Sequence, residues 1–413
     1  MSAGLRSSRM LLVLPLCLVP VASIASGLLP EPTSQAIRYQ HSQDWFWCAD
    51  HLMGLAIPLL VLFSGLAARL ADWCYRLSGN RWFLAIAFFA ITYATIDFSL
   101  SLPLAFWEGY VNEHRFGLGT GSPGQWMKEQ FVGYVATLIG VSLLTWVPYF
   151  FMRATPRLWW LWSAVAFVPV FILIQVVSPI WIAPLTSRFE PLADKSLEAK
   201  IDALAARAGV SRPTILVKDE SRTSKLPNAG VRGMFGTTRI VFNDNLIEMT
   251  DERELLVVVA REMGHYVHAD VWKFMSIQAG LLLAGFWLAH WLGRPAISRF
   301  ESRLRFSSLS SIASLPLLYL AFNLAVLATT PAVNAFIRNV EHNADLFAID
   351  LTHDNEAAMS VIRKAAKLYW YVPNPGWFRR NFRTDHPPLD ERARSLVTYQ
   401  PKDLSPAGTR TSP

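Results

Sequence analysis

The sequence predicts a mainly α-helical membrane protein whose apolar helices are interrupted by a soluble part containing a small β-sheet. Three observations carry that prediction. The 413-residue chain is 52% hydrophobic and only 17% charged, with 16 Trp and 25 Phe; it is too apolar for an ordinary soluble protein and rich in residues that favour membrane interfaces. It holds about seven apolar runs of membrane length. Between the fifth and sixth runs the composition changes to that of a soluble domain. The net charge of +7 does not indicate nucleic acid, because much of the arginine sits in short loops between apolar runs, where topology accounts for it. Cys17, Cys48 and Cys74 lack metal-site spacing and suggest structural thiols rather than a disulfide framework.

The first run, Met10 to Leu29, follows Arg6 and Arg9 and reads either as a cleaved signal peptide or as a retained first helix. Leu52 to Leu70, Trp82 to Trp107, Phe131 to Met152 and Leu158 to Pro184 each have room for the ~20 residues that cross the hydrocarbon core. The connection Trp107 to Gln130 is polar, and its glycines from Gly117 to Gly124 read as a flexible loop, since no strand-turn-helix context supports phosphate binding. After Pro184, Ser196 to Ala208 has helical periodicity. Thr214 to Lys218 and Thr238 to Phe242 look like short strands, the second preceded by Gly233 to Gly236. Asp251 followed by Glu254 forms a capping box for the next helix. Phe274 to Leu292 and Leu309 to Thr330 are the last two runs, separated by a stretch with Arg294, Arg299, Arg303 and Arg305. The chain thus divides into an N-terminal membrane region (1–184), a soluble segment (185–273), two membrane helices (274–330), a second soluble segment (331–400) and a disordered tail (401–413).

The chemistry centres on Val257 to Asp270, VVVAREMGHYVHAD, a buried helix carrying Arg261, Glu262 and His265. It is one residue away from HExxH, in which two histidines at i and i+4 bind zinc and the intervening glutamate activates the metal-bound water. A catalytic zinc needs three protein ligands and an open position. Glu341 is the candidate from elsewhere, at the start of a helical stretch just after an apolar helix. Asp345, one turn later, is placed to hold a ligand histidine by a hydrogen bond. His386, in a proline-restricted loop, is placed to donate to an oxyanion.

Taken together, REMGH beside membrane helices, then EHNAD, then DHPPLDER resembles the integral-membrane zinc metalloproteases of the CAAX prenyl protease 1 type, which include the heat-shock membrane proteases. FEPL at Phe189 to Leu192, NAG at Asn228 to Gly230 and TRIVFND at Thr238 to Asp244 resemble that family's substrate-strand region. The resemblance spans roughly Trp181 to Arg394. It implies seven helices around a chamber, a zincin-like domain with a short sheet packed on the REMGH helix, and a zinc cofactor. It also implies hydrolysis of peptide bonds in membrane-associated or CAAX-type substrates within the lipid bilayer, without nucleic acid. By the same resemblance Glu262 matches the general base, His265 and Glu341 the zinc ligands, and Asp345 the carboxylate behind them. His386 matches the transition-state donor, and Asn228 and Ala229 the edge that pairs with the substrate backbone.

The departure is Arg261. A guanidinium is protonated at any accessible pH and has no lone pair to donate, so it cannot replace imidazole as a ligand. His268 and His342 are the substitutes at hand, and helical geometry argues against both, Glu341 and His342 being about 100° apart around a helix. The expected outcome is a metalloendopeptidase with impaired hydrolysis; the alternative is a zinc-free pseudoprotease acting as a membrane peptide-binding scaffold. Arg261 is then expected to pair with Glu341 or Glu262 in the metal's place, and Arg392 to serve in an ion pair. A transport path finds no support in the intramembrane charge pattern. The arginine-rich loops are expected to be cytoplasmic, which puts the site on the extracytoplasmic side.

Overall fold

Long apolar helices dominate the chain, as its composition requires. The computed structural model describes residues 27–210, 213–232, 239–368, 371–372 and 375–403. Most of the first apolar run, Cys17, Gly233 to Gly236, Thr238 and most of the tail lie outside the described residues. Among those described, six helical stretches are long and apolar enough to cross a membrane. Their outer faces expose Leu60, Phe131, Leu143, Leu173 and Trp291, a surface suited to acyl chains.

Helix α1 (Ser34–Phe63) is capped by Thr33, whose hydroxyl accepts from the Ala36 amide. It begins well before the apolar run from Leu52, because its polar first half has partners: Asp44 meets Arg379, and Tyr39 donates to Glu113. The short α2 (Leu66–Leu77) follows, then α3 (Trp82–Phe106), which continues through a π-helical turn into α4 (Glu113–Arg115). The polar connection from Trp107 is therefore largely helical, and its glycine-rich part is not free. Thr120 donates its amide to the Thr223 carbonyl at 3.1 Å, and Lys225 donates to Leu118 at 2.9 Å. Glycine confers freedom only where nothing holds the backbone; here the soluble segment holds it. Ser122 caps α5 (Pro123–Leu144), which leads into α6 (Trp146–Ala154), α7 (Trp159–Val177) and the short α8 (Ala183–Thr186).

The soluble segment supplies α9 (Lys195–Arg207), the site's main helix α11 (Glu252–Val267) and a four-stranded sheet in the order β1-β2-β4-β3. Strand β1 (Phe189–Pro191) runs antiparallel to β2 (Thr214–Lys218), which runs parallel to β4 (Arg239–Asn243). Strand β3 (Ala229–Arg232) pairs antiparallel with β4 and is one of the sheet's two outer strands. Alternation along β4 buries Ile240 and Phe242 completely, in a core shared with Val259, Ala260 and Met263 of α11. After β4, α10 (Asp244–Met249) turns the chain toward α11. The capping box is present in full: Asp251 accepts from the Glu254 amide and Glu254 from the Asp251 amide.

Helix α11 stops at His268, and Ala269 adopts a left-handed φ of 54° before α12 (Asp270–Leu304) starts. The arginine-rich stretch expected as a loop is helical up to Leu304, with a kink at Phe300. Helix α13 (Leu315–Thr352) is a single 38-residue element, so Glu341 does not begin a separate helical stretch. Polar residues on its inward face continue the membrane helix into the soluble part. Gly264 permits the close approach of α11 and α13, since a Cβ there would stand 3.0 Å from the Phe347 ring. Helices α14 (Asn355–Leu368), α15 (Gly376–Phe378) and α16 (Leu389–Thr398) close the fold around these two.

Candidate functional site

Two helices crossing at Gly264 bring five of the singled-out side chains together. Helix α11 presents Arg261, Glu262 and His265, and α13 presents Glu341 and Asp345; the three carboxylates are each 6% exposed. Arg261 lies between them. Its Nη1 donates to Glu262 Oε1 at 2.6 Å, its Nη2 donates to Glu341 Oε2, and its Nε stands 3.3 Å from Asp345 Oδ1. Burial opposes the guanidinium's charge, but the carboxylates of Glu262, Glu341 and Asp345 outweigh it and hold Arg261 more firmly protonated than a free arginine.

His265 approaches the same carboxylate: its Nε2 lies 3.6 Å from Glu341 Oε2. Its Nδ1 donates to Asp270 Oδ2 at 2.8 Å, and Asp270 in turn accepts from Lys273 at 2.6 Å. Burial lowers the affinity of His265 for a proton, yet the interaction with Glu341 and the neighbouring carboxylates more than reverses this, and the net shift is upward. His386 arrives from the segment before α16 with Nε2 3.5 Å from Glu341 Oε2, while its Nδ1 donates to Asp385 at 2.8 Å. That hydrogen bond, set against burial, holds the Asp385 carboxyl below the usual aspartate range.

The remaining expectations fare unevenly. Asp345, expected to hold a ligand histidine, instead accepts two hydrogen bonds from Arg392 at 2.7 Å each and faces Arg261. The carboxylate that orients His265 is Asp270, which sequence reasoning missed. It lies beyond the end of α11, where helical periodicity gives no signal, and only the left-handed turn at Ala269 brings it back. Asp385, in the loop before α16, likewise falls outside any periodic pattern. His268 packs edge-on against Phe347, and His342 is not among the residues facing the cavity.

A cavity of about 760 Å³ opens beside the cluster, bounded by Arg261, Glu262, His265, Glu341 and His386 on one wall and by Asn228 to Val231 on another. The second wall is the outer strand β3 and the residue before it. Asn243 stabilises its start, accepting from the Asn228 amide at 2.9 Å and donating to the Leu226 carbonyl at 2.8 Å. An exposed edge of this kind can receive an extended peptide by main-chain hydrogen bonds.

The donor set does not fit a catalytic zinc. Residue 261 has no lone pair, two of the carboxylates already accept from its guanidinium, and among the described residues no group of three His, Cys, Asp or Glu side chains is arranged to hold a metal ion. What the arrangement offers is a cluster of three carboxylates engaged by Arg261 and Arg392, facing a cavity of about 760 Å³.

Comparison with known proteins gives the context. Residues 191–400 match the model of peptidase family M48, and residues 19–188 match that of the CAAX prenyl protease N-terminal region, described as five membrane helices. An uncharacterized metalloprotease of Bacillus subtilis, YhfN, is 28% identical over 371 residues, 90% of this chain and 87% of its own length. A CAAX prenyl protease 1 homolog of Dictyostelium discoideum is 28% identical over 356 residues, 84% of this chain and 80% of its own. The crystal structure of Ste24p from S. mikatae superposes with a TM-score of 0.71 at 20% identity, covering 87% of each chain.

Proposed function

The chain belongs to peptidase family M48, and from that premise we propose that it is a membrane metalloendopeptidase by descent whose hydrolytic power is greatly weakened by Arg261. The observation that carries this reading is the Arg261 guanidinium, hydrogen-bonded to both Glu262 and Glu341. Zinc, in this family, supplies an activated water and a Lewis acid. In this chain the general-base candidate Glu262 and the ligand candidate Glu341 are engaged with a side chain that cannot ligate. His265 and Glu341 remain as the metal-site candidates, Asp345 as a supporting carboxylate, and His386 as the group placed to donate a hydrogen bond toward the cavity.

The β3 edge at Asn228 and Ala229 supports binding of an extended peptide, and kinship with proteins named CAAX prenyl proteases points to membrane-associated or CAAX-type substrates. The arginines at the opposite end of the helices support a site facing the extracytoplasmic side.

A second reading, a zinc-free peptide-binding scaffold, is favoured by the cluster's carboxylates being engaged with the chain's own guanidinium groups, Arg261 and Arg392. Metal analysis and peptide cleavage by the purified protein, beside Arg261→His and Glu262→Gln versions, separate the two. Stoichiometric zinc with Glu262-dependent cleavage in the unaltered protein would overturn the impaired-site reading. Restoration of both by Arg261→His supports descent from an active enzyme, whereas zinc-free peptide binding that Arg261→His leaves uncatalytic supports the scaffold.

A further inference from the structure

Three buried carboxylates from two helices cannot share one site uncompensated. Glu262 on α11 and Glu341 and Asp345 on α13 are each 6% exposed, and like charges at such spacing in a low-dielectric interior repel strongly. In a metal-bearing relative of this arrangement a dication would draw them together. Here two guanidinium groups do so. Arg392 takes Asp345 from one side with a two-pronged contact at 2.7 Å. Arg261 takes the centre, reaching Glu262 on its own helix and Glu341 and Asp345 on the other.

The position of Arg261 matters as much as its charge. It lies on the face of α11 that meets α13, one turn before Gly264, where a Cβ would stand 3.0 Å from the Phe347 ring of α13. Its planar fork donates to Glu262 on one helix and Glu341 on the other and sets its Nε 3.3 Å from Asp345, which a point charge on a lysine cannot do. It is therefore a crosslink between the two helices that carry the site.

We propose that Arg261 is a resident structural cation, doing for the joint between α11 and α13 what a bound metal would do, so that the carboxylate cluster assembles without any metal. The proposal rests on the reading that zinc does not occupy this site, and it assigns a positive role to a residue otherwise seen only as a loss. It also defines a ligand class: with the side chain removed, the three carboxylates would frame a site for a small planar organic cation.

Thermal unfolding of the full-length protein in detergent tests this, comparing Arg261→Ala and Arg261→His with the unaltered chain. Each is measured alone, with chelator, with zinc chloride, and with guanidinium chloride at low millimolar concentration against equal sodium chloride. The unaltered protein is expected to unfold at one temperature under all of these conditions. Arg261→Ala is expected to unfold roughly 5 °C or more lower and to regain part of the loss with guanidinium but not with sodium. Arg261→His is expected to be destabilised in chelator and restored by zinc. An Arg261→Ala protein as stable as the original and indifferent to guanidinium overturns the proposal, as does an unaltered protein that chelator destabilises. Should Arg261→Ala not fold, Arg261→His decides: a zinc-dependent midpoint supports the proposal, and one insensitive to both zinc and chelator overturns it. Peptide cleavage by the unaltered protein would sink the impaired-protease reading without altering the Arg261→Ala stability result, so the two can fail separately.

Discussion

Arg392 holds Asp345 with two parallel hydrogen bonds, Nε and Nη2 each 2.7 Å from a carboxylate oxygen. The pair ties α16 to α13 directly behind the cluster, and Asp345 is only 6% exposed. Removing one member of a buried, hydrogen-bonded ion pair leaves the other charged and desolvated, at a cost of about 3–5 kcal/mol. Arg392→Ala is therefore expected to lower stability by that order, and Arg392→Lys to recover only part of it, because an ammonium cannot reproduce the fork. Equilibrium unfolding in detergent measures both; a lysine variant equal to the original would show that charge alone matters.

Asn243 is 1% exposed and serves two elements at once. Its Oδ1 accepts from the amides of Asn228 and Leu246, the second contact capping α10, and its Nδ2 donates to Leu226. Asn243→Ala removes the cap and leaves the Asn228 amide before β3 without its side-chain partner, an expected loss of roughly 2 kcal/mol. Hydrogen exchange should quicken at residues 226–232 more than in α11. Uniform protection across both regions would show that Asn243 does not set the peptide-facing edge.

Much of this architecture is legible in the sequence, and the parts that are not share a cause. The capping box at Asp251 and Glu254, strand β2, and the pairing of Arg261 with Glu341 or Glu262 follow from local patterns and charge; that Arg261 takes both at once does not. The long polar beginning of α1 does not, because residues such as Asp44 and Arg379 make sense only together, 335 positions apart. The continuity of α13 through Glu341 is hidden by the change from apolar to polar composition midway along one helix. Asp270 is hidden because the turn at Ala269 lies outside any periodic pattern. Helical spacing predicts which residues share a face; it does not predict which carboxylate from another element will stand behind them.

Glu254 gives a pH dependence with a definite sign. Burial pushes its carboxyl up, but Lys364, Ser360 and the Asp251 amide, which hydrogen-bond the charged form, together hold it below the usual glutamate range. A folded-state value below the unfolded one means that ionised Glu254 stabilises the fold above the ordinary glutamate range. That contribution disappears as pH falls through the folded value. Glu254→Gln should therefore cost stability at neutral pH, and the gap should close in acid. Melting temperatures of both proteins from neutral pH down to about 3, below the reference glutamate value, check this; a gap that widens in acid would contradict it.

The arginine-rich ends of the helices gather at one end of the bundle. Arg294 donates to the Pro156 carbonyl, Arg153 lies 4.3 Å over the Trp82 ring, and the Arg305 side chain packs by Gly65. The site lies at the other ends of α12 and α13, near Asp270 and Glu341. Short basic connections remain in the cytoplasm, so a phosphatase fused after Pro413 should be active and a fluorescent protein fused there should be dark. The reverse pattern would place the site on the cytoplasmic face.

Asp270 should govern metal affinity once a metal site is rebuilt. It is 1% exposed, accepts from His265 Nδ1 at 2.8 Å and is supported by Lys273 at 2.6 Å. A carboxylate in that position orients the imidazole with Nε2 turned toward Glu341, and in a metal-bearing site it raises the basicity of that nitrogen. In the Arg261→His protein, residue 261 again offers an imidazole beside His265 and Glu341. Adding Asp270→Asn should then weaken zinc binding by roughly 10–100-fold, because the amide keeps the shape but loses the charge that polarises the ring. Competition with a chromogenic chelator measures the change directly. Unaltered affinity in the double variant would show that Asp270 serves Lys273 and the start of α12 rather than the histidine.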